Sequence, residues 1–287
     1  MISVYKRELR TYFTGAMGYI FIAFTLVVVG IYSAILNFGS GYPNFEYVLS
    51  SSTFVFLLLI PILTMRSLAE ERRQKTDQLL FSLPLRSSSV VLGKYFAMVT
   101  VLAIPVAVFC VYPQVLSLYG EVHFASAYAT ILAFFLMGCA LISIGLFVSS
   151  VTENQLVAAI LSFSVMLLAF LMTALSSFLS TSAYTSMLAF LVVIGAAAVV
   201  VYGMTRSILL PVLLFLVLGS IPVAVFLTAP TALEGAFQQV MRFLSVFDRM
   251  ANFTGGILDV EAIVYYLSVS FLFVFLTVQS LEKRRWS

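Results

Sequence analysis

Glu70-Glu71-Arg72-Arg73, with Lys75 just beyond, is the densest group of side chains in this chain that could do chemistry. Acids and bases packed this closely suit ion pairing with a partner rather than bond breaking. Glu71 and Lys75 stand acid before base at i,i+4, the favourable order on a helix. The group belongs to an island, Arg66–Arg86, that holds 8 of the 15 basic and 12 acidic residues in 21 positions. Leu68, Leu79, Leu80, Phe81 and Leu83 give the island an apolar side, Pro84 stops a helix, and Ser87, Ser88 and Ser89 offer caps for the next one. The expected element is a short amphipathic helix between two membrane helices.

Catalytic motifs are missing from the sequence. There is no G-x-x-x-x-G-K-[ST]; the Gly93-Lys94 pair lacks both the upstream glycine and the following hydroxyl. H-E-x-x-H and G-x-S-x-G are absent. The one histidine, His123, falls in an outer loop and reads as a surface residue. Cys110 and Cys139 lie in apolar runs and read as small buried hydrophobes, not as a disulfide or a metal site. The expectation is a chain that is not an enzyme and binds no cofactor of its own.

The elements that must position the island are membrane helices. The chain has 287 residues, of which 62% are hydrophobic and 9% charged. A soluble domain carries about 25% charged residues. That deficit excludes a soluble globular fold, and the net charge of +3 gives no reason to expect nucleic acid. A helical span needs about 20 apolar residues. Six runs qualify at once: 17–38, 47–65, 92–117, 126–150, 155–178 and 261–281. The 52 residues Asn154–Thr205 carry no charge and are too long for one span. The Ser/Thr-rich stretch 176–186 breaks them, which adds Met187–Met204, and Ser207–Thr228 makes eight. Six spans remain an alternative if 187–228 enters and leaves from one side. With the N-terminus in the cytoplasm, 13 of the 15 basic residues fall inside and only Arg242 and Arg249 outside. Both termini are then cytoplasmic. The charge-free run Thr11–Phe45 is longer than a signal peptide's apolar region and reads as an uncleaved first span.

Two further segments are neither span nor simple loop. Residues 1–13 place Ile2, Tyr5, Leu9 and Tyr12/Phe13 at helical spacing with Lys6, Arg7 and Arg10 between them, a basic amphipathic helix for the inner leaflet. Thr231-Ala-Leu-Glu234 reads as a capping box. Leu233, Phe237, Val240, Met241, Leu244 and Phe247 behind it form one helix face within an outer segment, 229–260. That helix reads as a packing lid, or as a gate or partner surface. Gly145/Ser149 and Ala158/Ser162 are small-residue pairs that let helices approach. No carboxylate lies in the middle of a span, where ion-driven carriers keep one. A pump of this composition takes its energy from a partner. The island is therefore open to two readings, a solvated inner loop or a docking surface.

The stretch Pro61-Ile-Leu-Thr-Met-Arg66, Ala69-Glu70-Glu71-Arg72, Thr76, Leu79-Leu80, Ser82-Leu83-Pro84 and Val91-Leu92-Gly93-Lys94 resembles the signature of ABC-2 type permeases, the membrane subunits of ATP-driven exporters. Within them it is most similar to the branch of gliding-motility and nitrous-oxide-reductase-maturation permeases. Supporting stretches are Tyr5–Leu9 with Tyr12-Phe13, Gly145–Ser150 with Thr152–Gln155, and Gly256–Asp259 through Glu282. The resemblance implies an all-α polytopic fold with a single permease domain over 1–287. Within it, 66–89 would be the coupling-helix loop and 187–228 an extra helix pair. It implies an ATPase interface at Glu70, Glu71, Arg72, Arg73, Thr76, Leu79, Leu80 and Pro84. The N-terminal helix, with Tyr5, Lys6, Arg7, Leu9 and Arg10, would border that interface. The implied partners are two ABC ATPase subunits, which hold the ATP and Mg²⁺, and a second permease chain. That chain is either a copy or a sibling with a large extracytoplasmic domain. The setting is the bilayer of a bacterial cytoplasmic (inner) membrane, and the expected activity is export. The alternative is a membrane scaffold or mechanotransducer that moves an outer partner without carrying a solute.

Overall fold

The computed structural model describes residues 1–75, 86–205, 208–256 and 259–286. Among the described residues every regular element is helical, as the length and apolarity of the runs require. In chain order these are α1 (Ile2–Thr14), α2 (Ala16–Ser33), α3 (Phe45–Ser52), α4 (Val55–Thr64), α5 (Ala69–Arg73), α6 (Ser87–Phe109), α7 (Tyr112–Leu116), α8 (Phe124–Val151), α9 (Gln155–Phe178), α10 (Ala183–Thr205), α11 (Leu209–Thr228), α12 (Ala236–Leu244), α13 (Met250–Thr254) and α14 (Val260–Trp286). Among the described residues seven helices are long and apolar enough to cross a membrane, and α3 with the run Val55–Arg73, bent by 56°, makes an eighth when the bent pair is taken as one span. These correspond one for one to the eight spans expected from the sequence. The protein is a multi-pass membrane protein.

The helices form two compact units, Met1–Leu167 with Arg249–Ser287, and Leu168–Asp248. In the first, α8 is the central helix, packed on α4, α6 and α14. Its core is aromatic. Phe45, Phe56, Phe109 and Phe134 are fully buried, with the Phe56 and Phe134 rings 4.5 Å apart and Phe45 stacked on Tyr112 at 5.0 Å. Such offset and edge contacts add about 0.5–1.5 kcal/mol each beyond burial. Gly138 lets the helices meet there, since a Cβ would lie 2.6 Å from Leu102 Cδ2. Gly145 abuts Thr64 of α4 so closely that no larger residue fits without a shift. The small pair Gly145/Ser149 thus faces one neighbour, the α4–α5 run. At one end of α8 Ser126 lies by Gly256, and toward the other Phe147 meets Phe273 at 5.8 Å. So α8 and α14 run in the same direction, and the charges at the end of α14 share the end of the unit that carries α5.

Prolines act by position. Pro61, Pro105 and Pro222 sit inside α4, α6 and α11. Pro113 lies between the long part of its span and its end. It opens the separate helix α7, where its missing N–H costs nothing.

In the second unit α10 packs on α11 and α12 on α10, with the Phe190 and Phe237 rings 5.1 Å apart. The amphipathic helix expected here is shorter than its apolar spacing suggests. Pro230–Leu233 forms a tight 3₁₀ turn, Glu234 is extended, and Gly235 takes φ +69°, a conformation that suits glycine. The Gly235 N–H donates to Thr181 O at 2.9 Å, and the Gln238 amide donates to Leu179 O. These contacts hold the break, so Thr231 and Glu234 do not cap the helix. It starts at Ala236 and ends at Leu244.

Candidate coupling site

α5 is short, and its N-terminal N–H groups need acceptors from elsewhere. Ser149, at the end of α8, supplies one: its Oγ accepts from Leu68 N at 3.2 Å and Ala69 N at 3.1 Å, and donates to Met65 O at 3.3 Å. Arg72 adds a second tie to the same helix. Its Nη1 donates to Ser150 O at 3.1 Å and its Nη2 lies 3.4 Å from Glu153. The Gly145–Glu153 stretch therefore docks on the island.

The other side of α5 is held by a closed ring of four charges. Lys94 Nζ lies 2.9 Å from Glu71 Oε1 and 3.0 Å from Glu8 Oε1. Arg7 Nη2 lies 2.9 Å from each of the same two oxygens. Each carboxylate oxygen bridges both cations, and the ring is neutral. The ammonium's third donor goes to Ser67 O at 2.8 Å. All three Lys94 donors are thus used, which lets the side chain sit 1% exposed. Burial works against the Arg7 charge, but the carboxylates of Glu8 and Glu71 outweigh it and hold its pKa above the usual value. Burial, and secondarily the Glu8 charge, pushes the Tyr12 hydroxyl far above its usual range, so it stays protonated and donates to Leu63 O at 3.2 Å.

Packing sets α1 on its neighbours only partly as the expected Ile2, Tyr5, Leu9 and Tyr12/Phe13 face would, with Tyr12 buried as that face requires. Val4, Glu8 and Tyr12 turn inward at i,i+4,i+8, while Ile2 is 69% exposed. Gly93 makes the approach to α6 possible, because a Cβ there would lie 3.0 Å from Val4 Cβ. Tyr5 OH pairs with Thr100 Oγ1 at 3.0 Å, Leu9 is half-buried, and Lys6 and Arg10 are exposed.

Of the island residues expected at an interface, Glu70 is half-buried and accepts from Gln74 Nε2 at 3.3 Å, Glu71 is in the ring, and Arg72 is tied to α8. Arg73 is exposed. Thr76, Leu79, Leu80 and Pro84 lie outside the described residues. The Glu71–Lys75 pair does not form. Glu71 is turned to Lys94 and Arg7, and Lys75, at φ +56°, ends the helix in solvent. A buried ammonium outcompetes an exposed one for the same carboxylate, since water screens the exposed pair. Glu8 and Lys94, absent from the expected interface, are the residues that bring it together.

A family model described as "ABC-2 family transporter protein" matches residues 33–187, just over half of the chain and the whole of α3 to α9. The chain belongs to the ABC-2 transporter family. It is a membrane permease of an ABC transporter, a component that associates with an ABC ATPase and is not itself the catalytic part. A comparison with curated proteins gave no match. The region matched includes α5, Ser149, Glu153 and Lys94 of the permease, and stops within α10.

Proposed function

We propose that this permease serves an exporter and that α5 belongs to the coupling helix on which the ATPase subunit docks. The observation that carries this reading is the double tether of α5. Its outer residues Arg73, Gln74 and Lys75 are exposed, while its inner side is bonded to α1 and α6 through the charge ring and to α8 through Ser149 and Arg72. A pull on a free loop would be absorbed by the loop. A pull on α5 passes to three helices at once, and α8 is the centre of its unit.

In this reading two permease chains work with two ATPase subunits, which hold ATP and Mg²⁺. Closure of the ATPase pair draws the two α5 helices together, and the spans turn from inward- to outward-facing. The charge bias of the loops supports a cytoplasmic position for α1, α5 and both termini, in the inner membrane of a bacterium. The α10–α11 pair, lying mostly past the matched region, favours the gliding-motility and nitrous-oxide-reductase-maturation branch. Val240, Phe243 and Leu244 leave an exposed apolar face on α12, which favours a second reading, force passed to an outer partner without solute transport. Transport into sealed vesicles that stops when the ATPase is inactivated excludes that second reading.

The experiment is co-purification with the ATPase encoded beside it. Arg73→Glu and Lys75→Glu, both exposed at the outer end of α5, are expected to weaken assembly and permease-stimulated ATP turnover together. Unchanged assembly and turnover in both variants would remove α5 from the docking site.

A further inference from the structure

We propose that the cleft between α1 and α5 binds a phospholipid whose headgroup carries both a phosphate and a free amine, as in phosphatidylethanolamine. The cleft has a volume of about 610 Å³ and contains all four charges of the ring, which satisfy one another. Two further charges line it, Arg66 and Glu70. They stand four residues apart, but the chain between them turns before α5 begins, and among the described residues neither has an ion-pair partner. Arg66 is exposed, and among the described residues the Glu70 carboxylate meets only the neutral Gln74 side-chain amide. The cleft therefore offers one cation and one anion, with no net charge. A guanidinium suits a phosphate, and a carboxylate suits a primary ammonium with N–H donors. A purely anionic headgroup would face Glu70 unpaired, and a quaternary ammonium has no N–H to give it.

The tails have a track. Gly15 and Met17 line the cleft at the corner between α1 and the first span. From Met17, the residues Ile20, Phe24, Val27 and Ile31 follow at i+3, i+7, i+10 and i+14, and all four are exposed on one face of α2. A charged, neutral-overall pocket at the membrane boundary that opens onto an apolar stripe fits a lipid better than a soluble phosphoester. This inference does not depend on the ATPase reading, because its readout is binding to the permease alone.

The experiment is native mass spectrometry of the full chain in mild detergent with equal amounts of dioleoyl-phosphatidylethanolamine, -phosphatidylglycerol and -phosphatidylcholine. The ethanolamine lipid is expected to be retained about ten-fold over the other two, the size of one charge-assisted hydrogen bond. Arg66→Gln lowers retention of all three. Glu70→Gln keeps phosphate binding and erases the preference for ethanolamine over glycerol. Arg66 is exposed and Glu70 half-buried, and a thermal midpoint equal to wild type confirms that each variant is folded. Glycerophosphoethanolamine, the headgroup without tails, does not displace the lipid; displacement at equal concentration would assign the cleft to a soluble ligand. Retention indifferent to headgroup, or unchanged in both variants, overturns the proposal. So does a chain that runs as a dimer without bound phospholipid, which gives the α2 stripe to a second copy.

Discussion

Glu71 of α5 and Lys94 of α6 meet at 2.9 Å with the ammonium 1% exposed, and this pair fixes where the island stands relative to the spans. Removing one partner of a buried pair costs about 3–5 kcal/mol, because the other charge is left uncompensated. Lys94→Met is therefore expected to lower stability by about that amount. Arg7→Ala, at a side chain 52% exposed, should cost under about 1 kcal/mol. Adding Glu8→Gln and Glu71→Gln to Lys94→Met removes the stranded charges and should restore much of the loss. Thermal unfolding in one fixed detergent compares all three.

Ser149 and Ser67 are both buried, yet they should behave in opposite ways. Ser149 Oγ serves two N–H groups and a carbonyl. Ser67 Oγ has no hydrogen-bond partner among the described residues, and only its carbonyl is used, by Lys94. Ser149→Ala should cost about 1–3 kcal/mol by leaving α5 donors unmade. Ser67→Ala keeps the carbonyl and should be neutral or slightly stabilising. Melting midpoints of the two variants, measured side by side, give the sign of each.

Gly145→Ala should destabilise by about 1–3 kcal/mol, the usual cost of overpacking. Its new methyl group meets Thr64 of α4. Thr64→Ala removes the crowding hydroxyl and methyl and should recover part of the loss in the double variant. Strict additivity in that cycle would mean that the two helices do not meet there.

Asp259 caps α14: its Oδ1 accepts from Glu261 N at 2.9 Å and Ala262 N at 3.2 Å, and its Oδ2 from Asn252 Nδ2 at 2.7 Å. The Asn252 hydrogen bond, helped by the two backbone bonds and by Arg249, holds its pKa below the usual aspartate value despite some desolvation. A lowered folded pKa gives stability that is complete above the unfolded value, about 3.9, and is lost as pH falls through the folded value. The stability gap between wild type and Asp259→Asn should therefore be full at pH 6 and shrink below about pH 4. The site is open to water, so the gap is small. Midpoints of both proteins across pH 3–7 check the direction.

The spans could be read from the sequence because length and apolarity alone decide them, and Gly145/Ser149 could be seen as a small pair. The island's position could be inferred from its charges. Its inner bonding could not. Arg7 and Glu71 are 64 positions apart and Lys94 and Glu8 86, so the ring exists only after α1, α5 and α6 have packed. Local spacing assigned Glu71 to Lys75, a neighbour in sequence, where tertiary packing supplied Lys94. The one sign in the sequence was Gly93-Lys94 itself, a cation at the start of an apolar run beside a residue without a side chain. The outer helix was overextended for a similar reason. The apolar spacing from Leu233 continues through Gly235, but the backbone does not, because that glycine is drawn to Thr181 O.

The central claim is that the ATPase meets the permease at α5. Photo-crosslinking with benzoylphenylalanine in place of Arg73, in the membrane with both subunits present, tests it most directly. Leu118, 81% exposed in the connection between α7 and α8, is the control position. The account predicts a crosslink to the ATPase from position 73 and none from 118. A crosslink from 118, or none from 73 in an assembled complex, would contradict it.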